Sequence, residues 1–281
     1  MSQQFPRTTV GGVSLPRMII GTNWLMGYSH TGHAADVQIN ERHSDPQRIC
    51  DVLCAFMEYG VDAFMGCFDV PRLQEGIRRA EDKCGKKLIL IDTPGLNVSD
   101  SAEGRHAAEE KIKEAKRNGA TFCFPHHTSV EQLMNKHLQK MPRLEDYLYM
   151  IREQGMLPGL SAHMPECVLY ADKNDYDVET YIQIYNCLGF LMQVEIEFIN
   201  KVIRNAKKPV MTIKSMAAGR CTPFVGLNFS WGTLRDCDMV TVGCTHPAEV
   251  HECIEISLAH FEKRLPNLEG RSSPAPTSIN S

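Results

Sequence analysis

Residues 239–261 read MVTVGCTHPAEVHECIEISLAHF. The first four, MVTV, are too few for a helix and are closed by glycine, as suits a strand buried on both faces. Thr245 then stands as a helix cap, and Pro247 takes an early helical position. Val250, Ile254 and Leu258 recur at helical spacing, so strand and helix follow each other within one short stretch. Seven more runs of the same kind lie upstream: 17–21 (RMIIG), 61–65 (VDAFM), 88–91 (LILI), 121–124 (TFCF), 157–160 (LPGL), 181–185 (YIQIY) and 210–213 (VMTI). Amphipathic stretches separate them. Asp45 caps a helix opened by Pro46, with Ile49, Val52, Leu53, Phe56 and Met57 on one face. Pro71 opens another carrying Leu73, Ile77 and Ala80, and residues 101–118 form a charged helix stopped by Gly119. Met192, Ile196, Ile199 and Ile203 mark a further apolar stripe. Strand alternating with helix specifies a right-handed parallel α/β arrangement, and eight strands close a (β/α)8 TIM barrel.

The 281 residues suit one such domain, expected over 1–270, with 271–281 (RSSPAPTSINS) as a tail without apolar periodicity. Residues 8–15, TTVGGVSL, read as a hairpin turning at Gly11-Gly12 and plugging the barrel bottom. Residues 25–44 form an unusually long first βα loop, of the kind that carries function or acts as a lid. With 43% hydrophobic and 23% charged residues a sizeable core is expected. A net charge of -4 argues against nucleic acid or an anionic membrane as the main partner. No apolar run approaches a membrane span, MSQQFPRTT lacks a signal-peptide core, and eleven cysteines without a CxxC pair read as reduced thiols. A cytoplasmic protein acting on a small molecule is expected, with an oligomer left open.

Several stretches resemble the aldo-keto reductase superfamily. VGGVSLPRMIIGTNW is similar to its hairpin and first strand, and residues 148–163 to its fourth helix and fifth strand. IQIYN (182–186) resembles its sixth strand, KPVMTIKSMAAGR (208–220) its seventh strand and exit turn, and residues 236–252 its eighth strand and final helix. The resemblance implies a reductase tetrad of aspartate, tyrosine, lysine and histidine. Here Met65 or Gly66 falls at the aspartate, Val70 at the tyrosine, and Asp92 or Thr93 at the lysine, so only the histidine, His126, survives. Without a tyrosine beside a lysine the usual acid for carbonyl reduction is missing.

In this architecture catalytic groups project from the C-terminal strand ends. Polar residues there are Asn23, Cys67, Asp69, Asp92, His126, His127, His163, Asn186, Lys214, Thr245 and His246. Asp92, His126, His163 and Lys214 are the expected catalytic set. Asp92, His126 and His163 could together ligate a divalent metal with open positions. His127 is expected to point away and pack locally. Lys214 suits a Schiff base, proton transfer or a substrate-holding cation, unless it pairs with Asp92. Asn23, Trp24 and His30 in the first loop, and Arg220 after the seventh strand, are expected to bind substrate. The turn after strand eight lacks the family's basic cluster, which argues against NADPH. The leading expectation is non-redox chemistry, acid–base or metal-assisted, on a small carbonyl- or sugar-like compound, by an isomerase, lyase or hydrolase. The rivals are an NADPH-dependent reductase using His126 as acid, and an inactive barrel that binds a ligand or partner.

Overall fold

The computed structural model describes residues 3–268; the expected tail at 271–281 lies outside the described residues. The chain begins with an antiparallel hairpin of β1 (Arg7–Val10) and β2 (Val13–Pro16). Gly11 and Gly12, at φ 55° and 81°, supply the left-handed turn that such a two-residue loop requires. Parallel strands follow: β3 (Met18–Gly21), β4 (Ala63–Gly66), β5 (Ile89–Asp92), β6 (Ala120–Cys123), β7 (Leu157–Pro158), β8 (Leu160–Ser161), β9 (Tyr181–Ile184), β10 (Val210–Ile213) and β11 (Met239–Val242).

β7 and β8 are two halves of the fifth strand expected from the sequence. β7 pairs with β6 and β8 pairs with β9, so one segment closes the ring. The break falls at Gly159, where a Cβ would meet the Phe124 ring at 2.5 Å and the Thr180 carbonyl at 2.9 Å. Only glycine fits this close approach.

Alternation along the strands divides the apolar residues into two sets. Ile19, Ala63, Met65, Ile91, Phe122, Ile182, Met211 and Met239 fill the barrel interior, and Val10 and Leu15 of the hairpin pack beneath them. Met18, Ile20, Phe64, Leu90, Cys123, Val240 and Val242 face the surrounding helices. The helix at Pro46–Met57 is capped by Asp45, whose carboxylate accepts from Gln47 N, and that at Ala102–Arg117 by Ser101. Pro71–Cys84 and Ile196–Asn205 complete the stripes read from the sequence. Met192 precedes the latter helix rather than belonging to it.

Two local expectations are corrected. The first βα connection is not an open loop: it holds helices at Asn23–Met26 and His33–Arg42. The cap of the last helix, Pro247–Phe261, is His246, whose Nδ1 accepts from Ala248 N, because Thr245 is instead bonded through its N–H and hydroxyl to Glu249. All eleven cysteines are free. Among the described residues no helix is long and apolar enough to cross a membrane.

Candidate active site at the barrel mouth

Strand parity decides which polar residues reach the mouth. Ile91 points inward, so Asp92, its successor, faces the helices. It is 5% exposed. Its charged neighbours are Asp69 and, from the helix at Ala102–Arg117, Glu114 and Lys111. Burial first, and the charge of Asp69 second, push its carboxyl up to about 7. The expected meeting of Asp92 with His126 and His163, and the alternative ion pair with Lys214, are therefore corrected: Asp92 lies in the outer layer.

His126 follows Phe124 by two residues and keeps its inward parity. Its Nδ1 shares a 2.9 Å hydrogen bond with the Thr128 hydroxyl. His127 does not point away as expected. It begins a short helix, His127–Gln132, and its ring lies 4.2 Å from that of His126 and 3.7 Å from that of His163, nearly parallel to the latter at 18°. His163, beyond β8, thus joins the group from the neighbouring strand. Burial lowers both His126 and His163 to about 4, so these two rings are neutral at pH 7.

Glu131, one helical turn after His127, went unread in the sequence. Its Oε1 accepts from the backbone N–H groups of His163 (2.7 Å) and Met164 (3.1 Å), and its Oε2 stands 3.6 Å from His127 Nδ1. The signal that could have revealed it is the His-x-x-x-Glu spacing after a strand end, which puts both side chains on one helix face. Among the described residues, His127, Glu131 and His163 form a group of possible metal ligands whose donor atoms all lie within 4.8 Å of one another.

Across the mouth Lys214 follows β10 in a left-handed conformation, φ 62°, which breaks the strand's alternation. Half-buried, it is lowered by desolvation, and its Nζ donates to His30 Nε2 at 3.3 Å. His30 Nδ1 is bonded to the Tyr28 carbonyl, which leaves Nε2 as the acceptor in the neutral ring. Arg220 donates to the Ala217 and His30 carbonyls and lies 3.8 Å over the Phe190 ring. Neither Lys214 nor Arg220 forms an ion pair with a carboxylate among the described residues. Trp24 packs on Gly243 and Gly219, where added Cβ atoms would meet its ring within 2.8 Å and 3.7 Å. Asn23 is exposed at the start of its short helix. A cavity of about 520 Å³ opens elsewhere, outside the barrel, between Arg42, Arg48, Lys83 and His246.

A putative aldo-keto reductase from Pseudomonas aeruginosa has a similar fold, with a TM-score of 0.65 at 13% identity over 92% of this chain and 98% of that one. The chain has an aldo-keto reductase-like barrel. Aldose reductase from Giardia lamblia matches with a TM-score of 0.54, at 12% identity over 94% and 95% of the two chains. BexX/CysO from Amycolatopsis orientalis matches with a TM-score of 0.55, at 12% identity over 94% and 99%. Likeness at this level carries the fold and leaves the chemistry to the site. No protein-family model matches the sequence, and no curated protein sequence does.

At the positions that the sequence resemblance gives to the tetrad's tyrosine and lysine, Val70 caps the helix at Pro71–Cys84 and Asp92 faces outward. The nicotinamide cofactor that the fold family implies would bring phosphates needing free N–H groups or cations. At the last helix Thr245 N is held by the Glu249 carboxylate at 2.6 Å, Ala248 N by His246, and Pro247 has no N–H. These residues do not fit a dinucleotide phosphate.

Proposed function

We propose that the chain is a non-redox enzyme acting on a small carbonyl compound that carries a carboxylate or phosphate. Lys214 and Arg220 hold the anionic end, and the imidazoles of His126, His127 and His163 meet the reacting carbonyl from the opposite wall. Isomerisation, lyase cleavage and hydrolysis all suit such a set, since each develops negative charge on an oxygen that a fixed cation can stabilise. Trp24 and the His30 segment flank the bound compound.

The observation that carries this reading is the uncompensated charge of Lys214. A half-buried ammonium with a neutral imidazole as its partner is costly, and an anionic ligand supplies the missing counter-charge. Arg220 beside the same His30 adds a second cation and a planar fork suited to carboxylate or phosphate. Structural neighbours named as aldo-keto and aldose reductases support a carbonyl substrate.

Thermal unfolding with a panel of small phosphorylated and carboxylated aldehydes and ketones tests the reading. A compound at a hundred times its Kd should stabilise the chain by about 2.7 kcal/mol, a shift of roughly 5–10 °C, and Lys214→Met should remove that shift. Stabilisation by NADPH, or by neutral carbonyl compounds equally in both proteins, would overturn it.

A further inference from the structure

We propose that His127, Glu131 and His163 bind one divalent transition metal ion, of the zinc, iron(II) or cobalt(II) class, at the barrel mouth. This deepens the reading above, and rests on it for the ion's role in the reaction but not for its binding.

Four observations converge on the site. The donor set is two imidazoles and one carboxylate, which leaves coordination positions open, as catalytic ions require. The three donor atoms, within 4.8 Å of one another, are close to the separation of roughly 3.4 Å set by bonds of about 2.1 Å, so side-chain movement of an ångström or so closes the set. Among the described residues His127 Nδ1 is buried with no hydrogen bond inside 3.5 Å, and it faces Glu131 Oε2 at 3.6 Å. The carboxylate is already aimed: two backbone N–H groups hold Glu131 Oε1 and leave Oε2 turned toward His127. The His163 end is braced in turn, its carbonyl accepting from Gln183 Nε2 at 3.1 Å.

The rings of His127 and His163 stack nearly parallel, so binding one ion through both requires one ring to swing out of the stack until the two lone pairs converge. With the ion on this wall and Lys214 and Arg220 on the other, an anionic carbonyl compound spans the two.

The test is cobalt(II) titration of the metal-stripped full-length protein, followed by visible absorption. The expected result is one ion per chain, with ligand-field bands and no near-ultraviolet thiolate band. His127→Ala and Glu131→Gln should each weaken binding at least tenfold, with far-ultraviolet circular dichroism confirming that both variants fold. The competing soft site is the thiol group of Cys50, Cys54 and Cys84, in which Cys54 and Cys84 sulfurs lie 3.3 Å apart. The double variant Cys54→Ser, Cys84→Ser should bind cobalt unchanged. A thiolate band lost in that double variant, binding unaffected by both His127→Ala and Glu131→Gln, or no binding at micromolar cobalt would overturn the proposal. Loss of cobalt binding with anion stabilisation intact would remove the ion and leave the substrate reading; the reverse would do the opposite.

Discussion

At the end of β5 an aspartate turns outward among helices, and at the end of β10 a lysine stays in the mouth. Among the described residues neither has an oppositely charged partner in an ion pair. Asp92 sits beside Asp69 with its carboxyl pushed up to about 7, whereas Lys214 touches His30 and is pushed down. The two residues look alike in the sequence, each ending an apolar run. Both follow an inward-facing isoleucine, Ile91 and Ile213, and what separates them is the backbone: Asp92 keeps the strand conformation and turns outward, while Lys214, at φ 62°, leaves it and meets His30. A polar strand end becomes a site only when its backbone geometry and its neighbours both leave it something to bind.

The largest effect that could break this contrast is at Asp92. Its folded value is raised above the unfolded one near 3.9, so its contribution is fully present below pH 4 and is lost as pH rises through 7. Asp92→Asn should therefore stabilise the chain by up to about 4 kcal/mol at pH 8 and by almost nothing at pH 4, read from urea unfolding at both values. A pH-independent difference would place Asp92 in contact with solvent or a cation. The next effect probes the closing strand that carries His163. Gly159→Ala should cost about 1–3 kcal/mol by overpacking against Phe124, measured as a lower melting temperature, while the pH slope due to Asp92 stays as it was. Lys214→Gly should raise stability by roughly 1 kcal/mol, since glycine relieves the left-handed backbone, and should abolish anion-dependent stabilisation. The smallest stability effect belongs to His126→Ala, within about 0.5 kcal/mol of the parent, because a half-buried ring bonded to exposed Thr128 adds little to the core. Its effect on turnover should be large by comparison. A drop of several degrees in melting temperature with turnover intact would make His126 a structural histidine.

The barrel was legible because its signals are local. Each strand shows as an apolar run between turn residues, and helix starts such as Asp45-Pro46 name themselves. The hairpin at Gly11-Gly12 was equally plain. The helix at His33–Arg42 was not, since its apolar residues are few and Ile39 is its one buried side chain. The site was half legible. His126, His163 and Lys214 fall at strand ends; alternation counted from Ile91 would have excluded Asp92, but counted from Ile213 it would have excluded Lys214 too, because the left-handed turn at Lys214 leaves no mark in the sequence. The partnership of His127 with Glu131 and His163 depends on a six-residue helix and on ring stacking between adjacent units, and such tertiary contacts leave no periodic trace.

Glu249 gives the molecule a ligand of its own. Its carboxylate occupies the amide and hydroxyl of Thr245, at the helix end where an anion from outside would otherwise meet free donors. The seat is filled intramolecularly, at an effective concentration that a dissolved dinucleotide would have to exceed. Creating such binding would take two changes in concert, one to evict the resident carboxylate and one to add a cation. Either change alone would leave that end of the barrel self-occupied or uncharged.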